Sequence, residues 1–179
     1  GLLVLGSIPA AAAGLFFRDR VAALFDSPAV VSILLVATGL FLISSRGRSG
    51  SSPLTPGRVL LIGMAQAVAV LPGCSRSGWT ITMALLAGIG FETAAEFSFM
   101  LSIPAILGAL ALELAGGSFS FQASSIILLL VAAAVAFATG LAALNLLARI
   151  LRVGALHRFA WYLVPVGAAS WAYFSFIGR

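Results

Sequence analysis

Charged residues make up only 8% of this 179-residue chain, against about 25% in an ordinary soluble domain. Hydrophobic residues make up 61%. A soluble fold of this size has too much surface to hide so many apolar side chains, which excludes aqueous enzymes and nucleic-acid-binding modules and predicts an integral membrane protein. All ten basic residues are arginines, set against five acidic ones for a net charge of +5. They fall between apolar runs rather than in one patch, which argues for membrane topology and against a nucleic-acid partner. Cys74 is the only cysteine, so an intrachain disulfide and a cysteine-based zinc site are both excluded. It reads as a small apolar filler. The sole histidine, His157, lies between Arg152 and Arg158 in a polar segment between apolar runs and reads as solvated. The chain opens on Gly1 inside an apolar run, with no methionine and no charged n-region, and is expected to lack an N-terminal part.

The apolar runs set the expected architecture. Leu2 to Phe17 ends at Arg18-Asp19-Arg20, and a second run from the Ser27-Pro28 helix start continues to Ser45. Arg46 to Arg58, rich in Gly, Ser and Pro, is a solvated loop. Val59 to Leu71 is only about 20 Å long as a helix, too short for a hydrocarbon core of about 30 Å. Trp79 to Ala87 is shorter still. The pair reads as a re-entrant hairpin, with one kinked span as the competing reading. Thr93 to Leu114 is a long span with a proline, Pro104, expected to kink it. Gly116 to Gln122 reads as a turn, Ala123 to about Ala148 as a span, and Phe159 to Ile177 as the last, anchored by Trp161, Tyr162, Trp171 and Tyr173. The expected fold is all-α: about five transmembrane helices plus one re-entrant hairpin over residues 57–90, within a single membrane domain over 1–179. A hairpin that enters and leaves on one face puts Arg46, Arg48, Arg58, Arg149, Arg152 and Arg158 on one side and Arg18, Arg20 and Arg179 on the other. The positive-inside rule makes the first side cytoplasmic.

Within the hairpin, Leu71-Pro72-Gly73-Cys74-Ser75-Arg76-Ser77-Gly78-Trp79-Thr80 places an arginine in otherwise membrane-grade sequence. A guanidinium at bilayer depth is costly and needs a partner, and broken backbone is tolerated there only where protein covers it or it lines a wet cavity. Ser75, Arg76, Ser77 and Gly78 offer backbone N–H groups, hydroxyls and a fork of guanidinium donors. These are the parts of a phosphate cradle at a helix N-terminus. Thr80 adds a hydroxyl in the first turn, and Gln66 could face the same cavity from the helix before the break. The competing readings are a buried Arg76–glutamate pair and, for Gln66, an interhelical packing bond.

The run Gly63-x-x-Gln66-x-x-Ala69-x-x-Pro72-Gly73-x-Ser75-Arg76-Ser77-Gly78-x-Thr80, followed by Glu92-Thr93-Ala94-Ala95-Glu96-Phe97-Ser98-Phe99 and Ser102-Ile103-Pro104-Ala105, resembles the undecaprenyl-diphosphate phosphatase family associated with bacitracin resistance. The resemblance implies the C-terminal part of an inverted-repeat fold in the bacterial inner membrane, with its site facing the periplasm. The implied activity removes one phosphate from the lipid carrier diphosphate, so that the carrier returns to peptidoglycan synthesis. By position, Arg76 would neutralise the diphosphate, Ser75 and Thr80 would hydrogen-bond it, and Gly73, Ser77, Gly78 and Gln66 would complete the binding loop. The family's divalent cation, Mg²⁺ or Ca²⁺, and its nucleophile or base belong to an earlier glutamate- and histidine-bearing hairpin that nothing in this chain matches. No metal ligand is therefore expected here. The partners expected are a polyprenyl diphosphate and membrane lipids, with a homodimer permitted by small-residue stretches such as Ala132 to Ala138. Broken helices also suit a polyprenyl-phosphate transporter or flippase, and an inactive membrane fragment is the third reading.

Overall fold

The computed structural model describes the chain except residues 49, 116–125, 153 and 177–179. Among the described residues every regular element is helical: α1 (Leu2–Phe16), α2 (Arg18–Phe25), α3 (Pro28–Ile43), α4 (Pro56–Val68), α5 (Arg76–Leu86), α6 (Phe91–Ala115), α7 (Ile126–Arg152) and α8 (Ala160–Phe176), with a 3₁₀ turn at Leu156–Phe159. The expected turn at 116–122, the start of the Ala123 run, and Ile177 and Arg179 lie outside the described residues. Phe91–Leu112 and Ile126–Ile150 are long and apolar enough to cross a membrane, and a third crossing results if α1 and α2 count as one span. The chain is a multi-pass helical membrane protein.

Several boundaries differ from the expectation. Arg18-Asp19-Arg20 does not end the first helical region but starts α2, which turns 76° from α1 at Phe17. Polar residues can begin a helix wherever its first turn reaches water, so a charge cluster marks a bend here rather than a stop. Helix α3 starts at Pro28, whose missing N–H is one that a first turn leaves unpaired anyway. Proline at Pro56 starts α4 three residues before the apolar run begins. The segment with His157 is a 3₁₀ turn rather than a solvated loop: its neighbour Leu156 is buried in the core, and His157 Nδ1 is buried without a partner.

Contacts fix which ends lie together. Helices α3 and α8 run antiparallel, with Gly39 against Val164 and Gly167 against Val36 and the Ser32 carbonyl. Helices α4 and α5 form a hairpin whose two ends return to the same place, since Ser52 N, before α4, donates to Gly88 O, after α5, at 3.0 Å. That end of the bundle also holds Arg46, Arg48, Arg58 and Arg158, while Arg18 and Arg20 lie at the other. The hairpin tip rests on the middle of α3: Gly73 packs against Val31 O, and Thr38 Oγ1, which donates to Leu34 O at 2.9 Å, also reaches Gly73 O at 3.3 Å.

Lipid tails are as apolar as leucine, so helices in a bilayer associate through close packing and polar pairs more than through apolar burial. The crossing of α1 and α4 follows this rule: a Cβ on Gly63 would stand 2.5 Å from Gly6 O. Beneath the tip, Val59, Ile62, Ile81, Leu85 and Leu101 from α4, α5 and α6 are fully buried. Helix α7 stands apart, with every side chain from Ile126 to Leu146 exposed.

Candidate functional site

The sequence Leu71-Pro72-Gly73-Cys74 breaks the hairpin at its tip. Proline cannot extend α4, and Gly73 takes φ +85°, a conformation open to glycine at no steric cost. A Cβ there would also meet Val31 O at 2.5 Å, so the glycine lets the tip lie directly on α3. Ser75 then caps α5, its Oγ accepting from Gly78 N at 3.2 Å. Because of that cap, α5 begins at Arg76 rather than at Trp79. Arg76, Ser77 and Gly78 are the first helical turn, not an open loop.

Arg76 points from this first turn toward α4 and α6. Its Nη2 donates to Gln66 Oε1 and its Nη1 to the Ser98 carbonyl at 3.4 Å. Both partners are neutral. Among the described residues Arg76 meets no carboxylate, and the two glutamates of α6 nearest Ser98, Glu92 and Glu96, are exposed. Among the described residues, then, no buried arginine–glutamate pair fixes Arg76. Behind the guanidinium, Thr80 Oγ1 lies 2.6 Å from Ser98 Oγ and donates to Arg76 O at 2.9 Å. Both hydroxyls are buried. They tie α5 to α6 and hold the Arg76 backbone.

In front of the guanidinium, a cavity of about 630 Å³ runs between α1, α6 and the tip. Its walls are mostly apolar or small, with Ser7, Ala10 and Gly14 on α1 and Pro104, Gly108 and Leu112 on α6, while Gln66 and Arg76 supply the polar end. Gln66 is 2% exposed, and neither its Nε2 nor Arg76 Nε has a partner among the described residues.

The structure thus brings Arg76 and Gln66 together on one cavity and sets Thr80 behind them. It places Ser75 at the cap, Ser77 and Gly78 in the first turn, and Gly73 against α3, none of them on the cavity wall. Ser98 and the α6 wall were not singled out by chemistry in the sequence. A serine 22 residues from Arg76 gives no local signal, and small residues in an apolar helix read as packing positions. Among the described residues, no three His, Cys, Asp or Glu side chains come together as a metal site.

These features define a class: a multi-pass helical membrane protein whose hairpin arginine closes one end of an otherwise apolar cavity. The chain belongs to the family described as bacitracin resistance protein BacA, whose profile matches residues 1–169. It is 41% identical over 169 residues to an undecaprenyl-diphosphatase of Korarchaeum cryptofilum, covering 93% of this chain and 63% of that protein. It is 43% identical over 171 residues to an undecaprenyl-diphosphatase of Desulfatibacillum aliphaticivorans, covering 93% and 62%. The chain therefore spans less than two thirds of the length of these relatives.

Proposed function

We propose that this site serves the hydrolysis of undecaprenyl diphosphate to undecaprenyl phosphate and inorganic phosphate, the activity named for the relatives. The observation that carries the reading is Arg76, engaged among the described residues by neutral groups alone, at the polar end of a largely apolar cavity. That shape suits an amphiphile with an anionic head: the prenyl chain along the small-residue wall, the diphosphate at the guanidinium. Arg76 would neutralise the oxygens of the diphosphate as the terminal phosphorus–bridging oxygen bond breaks. Such preorganised donors act strongly where water is excluded. Ser98 and Thr80 would keep the guanidinium in place. Ser75, Ser77, Gly73 and Gly78 shape the turn that presents it.

The divalent cation implied by the family, Mg²⁺ or Ca²⁺, does not fit the donors this chain turns toward the cavity. Amide and guanidinium N–H groups bind anions, whereas such cations take oxygen ligands. For topology, we read the arginine-rich end with Arg46, Arg48, Arg58 and Arg158 as cytoplasmic, and the α4–α5 hairpin as re-entrant within a five-span part of an inverted-repeat fold. The tip then lies toward the periplasmic half of the inner membrane, where a recycled peptidoglycan carrier would present its head. In a homodimer, the exposed α7 would offer the contact between copies.

The test uses a protein of the relatives' full length, purified and supplied with a polyprenyl diphosphate and Mg²⁺ or Ca²⁺. Phosphate release that Arg76→Ala reduces by about a hundredfold or more is the expected result. Substrate counterflow without phosphate release would replace the hydrolase by a carrier, and neither activity would leave an inactive membrane protein.

A further inference from the structure

Gln66 contributes more to the cavity than a partner for Arg76. A carboxamide has one acceptor oxygen and two N–H donors, whereas a guanidinium has donors only. Since Arg76 Nη2 faces Gln66, the side that accepts must be Oε1, and the amide orientation follows from chemistry. That oxygen is thereby turned toward Arg76. What remains is Nε2, buried, without an acceptor, on a residue that lines the cavity. Arg76 Nε is in the same condition. Two buried donors therefore sit unpaired on two side chains that are hydrogen-bonded to each other and border the same space. Buried donors of this kind ordinarily find an acceptor.

We infer that Gln66 contacts the substrate directly, its amide nitrogen sharing with Arg76 Nε the oxygens of the anionic head, and that Arg76 holds the amide in the donor-outward orientation. The inference rests on the hydrolase reading for the identity of the head group, but the donor arrangement would bind any phosphate oxygen. It also gives the site a specificity rule. The two unpaired groups at the polar end are both donors, so a head group with cationic N–H groups in place of anionic oxygens leaves them unpaired and is disfavoured. A residue that merely packed α4 against α5 would show no such preference.

Gln66→Glu separates the two roles. Glutamate keeps the oxygen that accepts from Arg76 but replaces the outward donor by an acceptor. In the full-length protein at neutral pH, Gln66→Glu should lower kcat/KM by about a hundredfold, the loss of one such donor. Relative to wild type the loss should shrink as the pH falls, because a protonated carboxyl again offers an O–H donor. Gln66→Met, of similar length and without either group, should raise KM by about tenfold or more at every pH. A second arm measures equilibrium binding of a fluorescent prenyl monophosphate to detergent-solubilised protein, which does not require turnover. Both variants should bind it more weakly by about tenfold or more. Wild-type-like kinetics and binding in Gln66→Glu across the pH range would overturn the inference. Absence of phosphate release from wild type, with Gln66-dependent binding retained, would instead overturn the hydrolase reading while leaving the Gln66 role standing.

Discussion

Trp79 donates its indole N–H to Thr38 Oγ1 at 3.0 Å, and the same threonine hydroxyl reaches the Gly73 carbonyl at the hairpin tip. The Trp79 ring stacks on Phe41 with centroids 4.3 Å apart. One turn of α3 thus holds both the broken backbone of the tip and the first turn of α5, and so sets where Arg76 stands. Because Thr38 is fully buried, removing its hydroxyl leaves the indole N–H without an acceptor. Thr38→Val should cost about 1–3 kcal/mol, read as a lower thermal midpoint in detergent. Trp79→Phe removes the unpaired donor, so the double variant should cost less than the sum of the two single costs.

Arg76 is held by a carbonyl and an amide oxygen on two different nitrogens. Lysine offers a point charge without that fork. If the proposed hydrolysis holds, Arg76→Lys in a protein of the relatives' full length should therefore lower phosphate release nearly as far as Arg76→Ala, by about a hundredfold. Wild-type-like rates in Arg76→Lys would show that charge alone suffices.

Gly73 tests the tip. Its φ of +85° and the approach of Val31 O leave no room for a side chain. Gly73→Ala should push the tip off α3, with a stability loss of about 1–3 kcal/mol. It should also lower activity although Gly73 does not border the cavity. Unchanged stability would mean that α3 and the tip are not in the contact described.

Gly108 tests the cavity wall. A Cβ placed there meets nothing within 4 Å, and the residue faces the cavity. Gly108→Leu should fold with little loss of stability and fill part of the groove. KM for a long-chain polyprenyl diphosphate should rise more than KM for a short-chain one. An equal effect on both chain lengths would place the prenyl chain elsewhere.

Gly63 makes the opposite case. Its hydrogen faces the Gly6 backbone, and helix backbones approach this closely only where both residues are small. Gly63→Val should separate α1 from α4 and cost about 1–3 kcal/mol, again read as a thermal midpoint. Gly108→Leu serves as the control for added volume in the same bundle.

The membrane class, the polar loop, the break at Pro72-Gly73 and the place of Arg76 beside that break were legible in the chain because each is a local signal. Apolar run length, turn residues and a charge out of place are all read within a window of about twenty residues. Ser75 shows the limit of such reading. A serine before an arginine suits both a phosphate contact and a helix cap, and only the position of Gly78 N shows that the cap is made. Arg18-Asp19-Arg20 shows another, since a charge cluster reads the same whether the chain ends a helix or bends 76° into the next.

Composition and spacing alone account for a helical membrane chain with a guanidinium at a broken hairpin, since the cost of burying charge and of interrupting a helix is a property of the residues themselves. Which groups that guanidinium meets was settled by folding: Gln66 on α4, Ser98 on α6 and the cavity beside α1 come from segments far apart in the chain. Their meeting depends on helix crossings at Gly6, Gly63 and Gly73, where backbones touch, and no pattern within one helix encodes the neighbour it will lie against.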